Sequence, residues 1–280
     1  MATSHWQQGN LHRALVYCND AIERTTGWHD PYYHALSNLG VICHLLGRYE
    51  SALQSLAEAI AGLRSLGNKP AMAYAQAYRT GALLDLGRLD EGIEEAKAGI
   101  QLARSVGHAQ ALIAGLTELG RFLQMSNDSN GACEVLEEAV ERAVETESHF
   151  ELVGALITLS GARLTSGHSE ALASAQRALD LSVRGRFRLR QGQALAMLAR
   201  IQIGQGERLK ASTLAAAALK IQQETGHVIG EAEARFVLAT AHPEPIIAAE
   251  HAAAAEIIFK STGVVPARDF APDNIAGGTH

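Results

Sequence analysis

Leu46-Gly47-Arg48-Tyr49-Glu50-Ser51-Ala52-Leu53 is echoed forty residues later by Leu86-Gly87-Arg88-Leu89-Asp90-Glu91-Gly92-Ile93. Each copy runs Leu-Gly-Arg, then a polar turn, then a small residue five places after the Gly. A Gly at such a place ends a helix, because it takes left-handed backbone without a Cβ penalty. Steps of forty lead on to Asn127 and Gly167; the series begins at Gly9 and continues at Gly206. Asn is the other residue that tolerates this conformation. A second column of stops runs between these, at Gly27, Gly67, Gly107, Gly185, Gly226 and Gly263, with Glu147 where one further Gly is due. Two stops per period predict two helices per period, joined by short turns.

Small residues keep the same register. Gly40, Thr80, Gly120, Ser160 and Ala199 lie seven places before the first turn. After it come Ala14, Ala52, Gly92, Ala132, Ala171, Ala211 and Ala248, then Ala21, Ala59, Gly99, Ala139, Ala178, Ala218 and Ala255. Small side chains in columns let paired helices approach closely. Larger residues between them, such as Leu56, Leu119, Leu136 and Leu159, fill the layers.

The composition agrees with helices. The 280 residues are 47% hydrophobic and 19% charged, a globular mixture. Residues 71–242 contain no proline, where a sandwich or barrel of that length would place several in turns. The net charge of −6 disfavours binding nucleic acid through the bulk surface. No apolar run reaches the ~18 residues of a membrane span, and the first residues lack the basic and apolar regions of a signal peptide. Cys18, Cys43 and Cys133 are too few and too scattered for a disulfide framework, so packed, reduced thiols of a cytoplasmic protein are expected.

The columns resemble the tetratricopeptide repeat: a small residue late in a first helix, Leu-Gly at the turn, and two Ala seven apart in a second helix. Pro31 and Pro70 sit where that family's repeat boundary often has a Pro. The period of 37 to 41 is longer than the 34 of the common form. What the resemblance implies is an all-α, right-handed superhelical solenoid of about seven antiparallel helix pairs over residues 1–263, with an irregular tail over 264–280. The first repeat has only a stub of its first helix. Its apolar edge, near Trp6, Leu11 and Leu15, is therefore expected to be exposed, for an upstream domain or for self-association.

Chemistry-bearing motifs are sparse. The twelve histidines form no His-Glu-x-x-His and no paired ligands with a third, so no metal site is expected. There is no phosphate loop and no nucleophile elbow. An enzyme is not expected, nor a cofactor. Arg184, Arg186, Arg188 and Arg190 alternate within one turn. They are either a site for an anion or acidic partner, or a solvated loop with Phe187 and Leu189 turned inward.

In the tetratricopeptide family the first helices line a concave face. Carried onto this register, that face holds His34, Asn38 and His44, then Tyr74, Tyr78 and Asp85, then Glu118, Arg121 and Gln124, and lastly Gln193 and Arg200. These are either solvated helix positions or a groove for a protein, a peptide or a small inducer. The Lys-Asn-Arg clamp that some members use for terminal carboxylates is replaced here by Ser37, Val41 and Ala77. The chain is also similar in style to the repeat domains of large bacterial ATP-dependent transcription activators of the MalT-like and AfsR-like kinds. Arg64-Ser65-Leu66-Gly67-Asn68 and Arg104-Ser105-Val106-Gly107-His108 carry that likeness. It implies the sensor or interaction part of a larger signalling or transcription-regulatory protein. The rival is a free-standing cytosolic scaffold joining protein partners. Neither requires direct contact with nucleic acid or membrane.

Overall fold

The computed structural model describes residues 2–25 and 29–266. Within them are fourteen α-helices and no strand. They fall into seven antiparallel pairs: α1 (Ala2–Gln7) with α2 (Leu11–Arg24), α3 (Asp30–Leu45) with α4 (Tyr49–Ser65), α5 (Lys69–Asp85) with α6 (Leu89–Val106), α7 (Ala109–Met125) with α8 (Ser129–Glu145), α9 (His149–Thr165) with α10 (Ala171–Arg184), α11 (Arg188–Gly204) with α12 (Arg208–Thr225), and α13 (Val228–Ala241) with α14 (Pro245–Thr262).

The turns work as their residues require. At Gly47 the chain is left-handed (φ 73°). The Arg48 N–H then donates to the Cys43 carbonyl at 2.8 Å and the Gly47 N–H to that of His44 at 2.9 Å, so the last carbonyls of α3 are satisfied. Asn127 (φ 64°) reproduces this at the position where it replaces Gly. Two sites depart from the expectation. Glu147 adopts φ 51° although it carries a Cβ, and at the next stop the left-handed residue is Arg186 (φ 56°) instead of Gly185. The geometry of the turn is thus imposed by the packing of the two helices, even where no Gly supplies it. Gly27 lies outside the described residues.

The small-residue columns are the contacts between paired helices. Ala52, Ala59, Ala132, Ala139, Ala211 and Ala218 are wholly buried. Ala21, in the same column, is exposed. The six residues of α1 pair with the start of α2, and Ala21 lies beyond them. Ala139→Leu should force the layer of Ile113, Leu116 and Val153 apart and cost about 1–3 kcal/mol. A urea midpoint equal to that of the native chain would show that the column is not a close contact.

Stacked pairs curve until the last repeats meet the first. The turn at Gly9 lies against Thr225 and Arg188, that at Gly47 against Val228 and Thr262, and that at Gly87 against Val265. The Val265 N–H donates to the Asp85 carbonyl at 2.8 Å. One apolar cluster joins Tyr49 and Ala82 of the early repeats to Phe236, Val237 and Phe259 of the late ones.

This closure corrects one expectation. At the start of the chain Trp6 and Leu11 are each 1% exposed, because the curvature brings α9 and α11 onto them, while Leu15 is half-buried and Val16, at 65%, is exposed. After α14, residues 264–266 have no regular structure, and Val264 is buried in the seam. The rest of the expected tail, 267–280, lies outside the described residues.

Candidate functional site in the lumen

The curve surrounds a cavity of about 330 Å³ that is partly open to solvent. First helices supply most of its wall, through side chains spaced three, four and seven apart on one face. Thr117, Glu118, Arg121 and Gln124 come from α7; Gly154, Ile157, Thr158 and Gly161 from α9; Arg190, Gln193, Met197 and Arg200 from α11.

Asp85 is the hub of one side. His44 Nε2 lies 2.7 Å from its Oδ2, the Tyr49 hydroxyl donates to the same oxygen at 2.9 Å, and the Arg121 guanidinium donates to Oδ1. Arg121 also donates to Glu118 at 2.7 Å. Burial alone would raise the Asp85 carboxyl. Arg121 and then His44 outweigh it and hold the group well below the usual carboxylate range. Burial, followed by the charge of Asp85, pushes the Tyr49 phenol up. This side is a bonded network of five residues from four helices.

The other side is aromatic. Trp6 sets its ring edge-to-face on Phe150 (centroids 5.0 Å) and on Tyr78 (6.0 Å). Phe150 continues to Phe187 at 5.4 Å. The Arg190 guanidinium lies 4.7 Å from the Phe150 ring centroid, a cation–π distance, and donates to Gln193 Oε1 at 2.9 Å. A Cβ at Gly154 would stand 2.8 Å from that guanidinium, so a larger residue there would push the guanidinium aside.

Two more ionisable groups face the lumen. Burial pushes Glu233 up to about 7, against the pull of Arg121 and Arg200. Burial, reinforced by His44 and Arg190, brings His227 down to about 3. The sign for Glu233 is that of an acid kept neutral by folding. Between about pH 4.5 and 7 the native state holds a proton that the unfolded chain has lost, so this group's contribution falls as pH rises through that window. Glu233→Gln should therefore be close to neutral at pH 5 and stabilising by roughly 3 kcal/mol at pH 8. Denaturant titrations at the two pH values test it, and an equal effect at both would refute the assignment.

The expected concave residues divide. His44, Tyr78, Asp85, Glu118, Arg121, Gln124, Gln193 and Arg200 line the cavity. His34, Asn38 and Tyr74 do not. His34 is exposed and 3.2 Å from Asp30, the Asn38 amide donates to the His34 carbonyl, and Tyr74 packs toward Tyr78 and His108. In α3 and α5 only the C-terminal halves reach the lumen. The arginine run also divides. Arg184 and Arg186 are exposed and Arg188 pairs with Glu224, while Arg190 alone turns inward, so the run is neither one anion site nor one solvated loop. Trp6, Tyr49, Phe150 and His227 line the cavity without having been expected there. The register holds a signal for Trp6, which stands three residues before Gly9 as His44 does before Gly47. No such signal exists for Tyr49, which reaches the lumen from a second helix.

Among the described residues no three His, Cys, Asp or Glu side chains are grouped so as to hold a metal ion. No described helix is long and apolar enough to cross a membrane. Cys18, Cys43 and Cys133 are free and buried.

Such an architecture is a tetratricopeptide-like helical solenoid wound around a lumen. A tetratricopeptide repeat family model matches residues 1–65. The curated proteins contain no match. Among solved structures, the chain is similar to the Rap conjugation gene regulator of plasmid pLS20 in complex with the Phr* peptide, with a TM-score of 0.76 and 11% identity over 93% of this chain and 72% of that one. A Rap protein complexed with competence and sporulation factor gives 0.69 and 14%, over 90% and 73%. A signal-transduction ATPase with a tetratricopeptide repeat sensor, from Pyrococcus horikoshii, gives 0.56 and 15%, over 90% of this chain and 38% of that one. At such identities the likeness is one of fold.

Proposed function

We propose that this chain is a non-catalytic receptor module that takes a short peptide, or a small ligand of like size, in its lumen and serves the regulation of a larger signalling assembly. The observation that carries this reading is the deep cavity, part open to solvent, that the repeats surround. An open solenoid offers a shallow groove, whereas here seven repeats surround a space of about 330 Å³ with apolar, aromatic and charged groups on separate walls. That volume and mixture suit a ligand of a few residues. Two structural neighbours were solved with a peptide or signalling factor bound, and a third carries its repeats as a sensor, which supports the reading by analogy of fold.

The test is affinity selection from a pool of random hexapeptides, with the native chain and with Thr158→Trp. Thr158 lies on the cavity wall between Gly154 and Gly161, so an indole there fills the lumen from inside. Peptides retained by the native chain and lost on the variant, at unchanged circular dichroism, are expected. Equal retention by both would place binding elsewhere and sink the proposal. The scaffold alternative has no observation of its own in its favour.

A further inference from the structure

Resting on the lumen as the ligand site, we infer that the Arg190 wall is a subsite for one carboxylate on an apolar body. The three arginines of the lumen are not equivalent. Arg121 is neutralised twice, by Asp85 and by Glu118. Arg200 has interactions of its own. Arg190 has no carboxylate within ion-pairing distance among the described residues. Its side-chain partners are the Gln193 amide oxygen and the face of Phe150, and its buried Nε has no acceptor.

The acids nearest to Arg190 are poor counter-ions for it. Glu118 is held by Arg121. Glu151 is buried, which raises its carboxyl against the pull of Arg190, and it makes no ion pair with that guanidinium. Tyr78 faces Arg190 as a neutral phenol, its own ionisation suppressed by burial. The guanidinium therefore sits in a cradle of Phe150, Gly154 and Gln193 with no carboxylate bonded to it, and burial lowers its affinity for the proton. A protein retains such a group where something outside the chain completes it.

The balance of charge selects the anion. Arg121 is already held by Asp85 and Glu118, so Arg190 offers a ligand one guanidinium. That matches a carboxylate better than a doubly charged phosphate. The surroundings select the rest: Trp6, Phe150, Ile157 and Met197 border the same cavity and would hold an apolar group beside the charge. Trp6 shares Phe150 with Arg190, so its indole should report occupancy.

In a Trp28→Phe background Trp6 is the only tryptophan. Its emission is titrated with N-acetyl-leucyl-phenylalanine, with the corresponding amide, with 4-phenylbutyrate and with inorganic phosphate. The acid should bind at least tenfold more tightly than the amide. Arg190→Met should abolish that preference, and Arg190→Lys should keep part of it. Phenylbutyrate distinguishes a free organic acid from a peptide terminus, according to which of the two acids binds more tightly. A second readout needs no ligand: removing a buried cation with no bonded carboxylate should raise the melting temperature of dialysed Arg190→Met by about 2–4 °C. Equal binding of acid and amide, no response at millimolar acid, tighter binding of phosphate than of either acid, or a lowered melting temperature in Arg190→Met would each overturn the inference. If the hexapeptide pool binds equally well with amidated termini, the lumen survives as receptor while the carboxylate subsite fails.

Discussion

Arg121→Ala is expected to destabilise the chain by about 3–5 kcal/mol, measured by urea unfolding at pH 7. The mechanism is what the change leaves behind. Asp85, 10% exposed, and Glu118, 20% exposed, would be left close together without their shared cation. His44 and Tyr49 would still bond Asp85. Arg121 itself is 34% exposed, so water can enter to replace part of it, which favours the lower end of the range. The change also has a pH signature. Because Asp85 is depressed in the native state, its contribution is complete above about pH 4 and is lost on acidification through the lower native value. Arg121→Ala should flatten that acid limb. A loss below 1 kcal/mol with the limb intact would mean that the network is a surface pair in effect.

Trp6→Ala should cost about 3–5 kcal/mol as well, through a different term. The indole is 1% exposed and fills the space between Tyr78 of the third pair and Phe150 of the fifth. Its removal opens a hole where three distant parts of the chain meet, and α1 is too short to collapse into it. Leu209→Ala, at a side chain 77% exposed, is the matching control and should stay within about 0.5 kcal/mol. Similar costs for the two would show that α1 does not hold the lumen shut.

Local structure was legible in the sequence because it is set by neighbours forty residues apart or fewer. Gly47, Gly87 and Asn127 mark turns whose geometry a single residue type decides, and Ala52, Ala132 and Ala211 mark contacts whose tightness only small side chains permit. The inner stripe of α7 and α11 followed from the same register. What the sequence did not disclose is the curvature. That is the sum of small rotations between stacked pairs, and no one residue carries it. Curvature decides that Trp6 is buried instead of exposed, that His34 and Tyr74 stay outside the cavity, and that Arg190 leaves the run of Arg184, Arg186 and Arg188 to face inward. The site was therefore half visible. Its members on the middle first helices could be named, whereas those supplied by the meeting of first and last repeats could not.

The seam also bears on how this chain can change over evolutionary time. An open solenoid tolerates gain or loss of a unit, since each repeat touches only its neighbours. Here Gly47 rests on Val228 and Thr262, Gly87 on Val265, and the Val265 amide on the Asp85 carbonyl. One added unit of forty residues would carry all of these past their partners at once, and one deleted unit would leave them short. The number of repeats is thus locked by closure as the number of staves is locked in a cask, and variation is confined to the residues that face the space within.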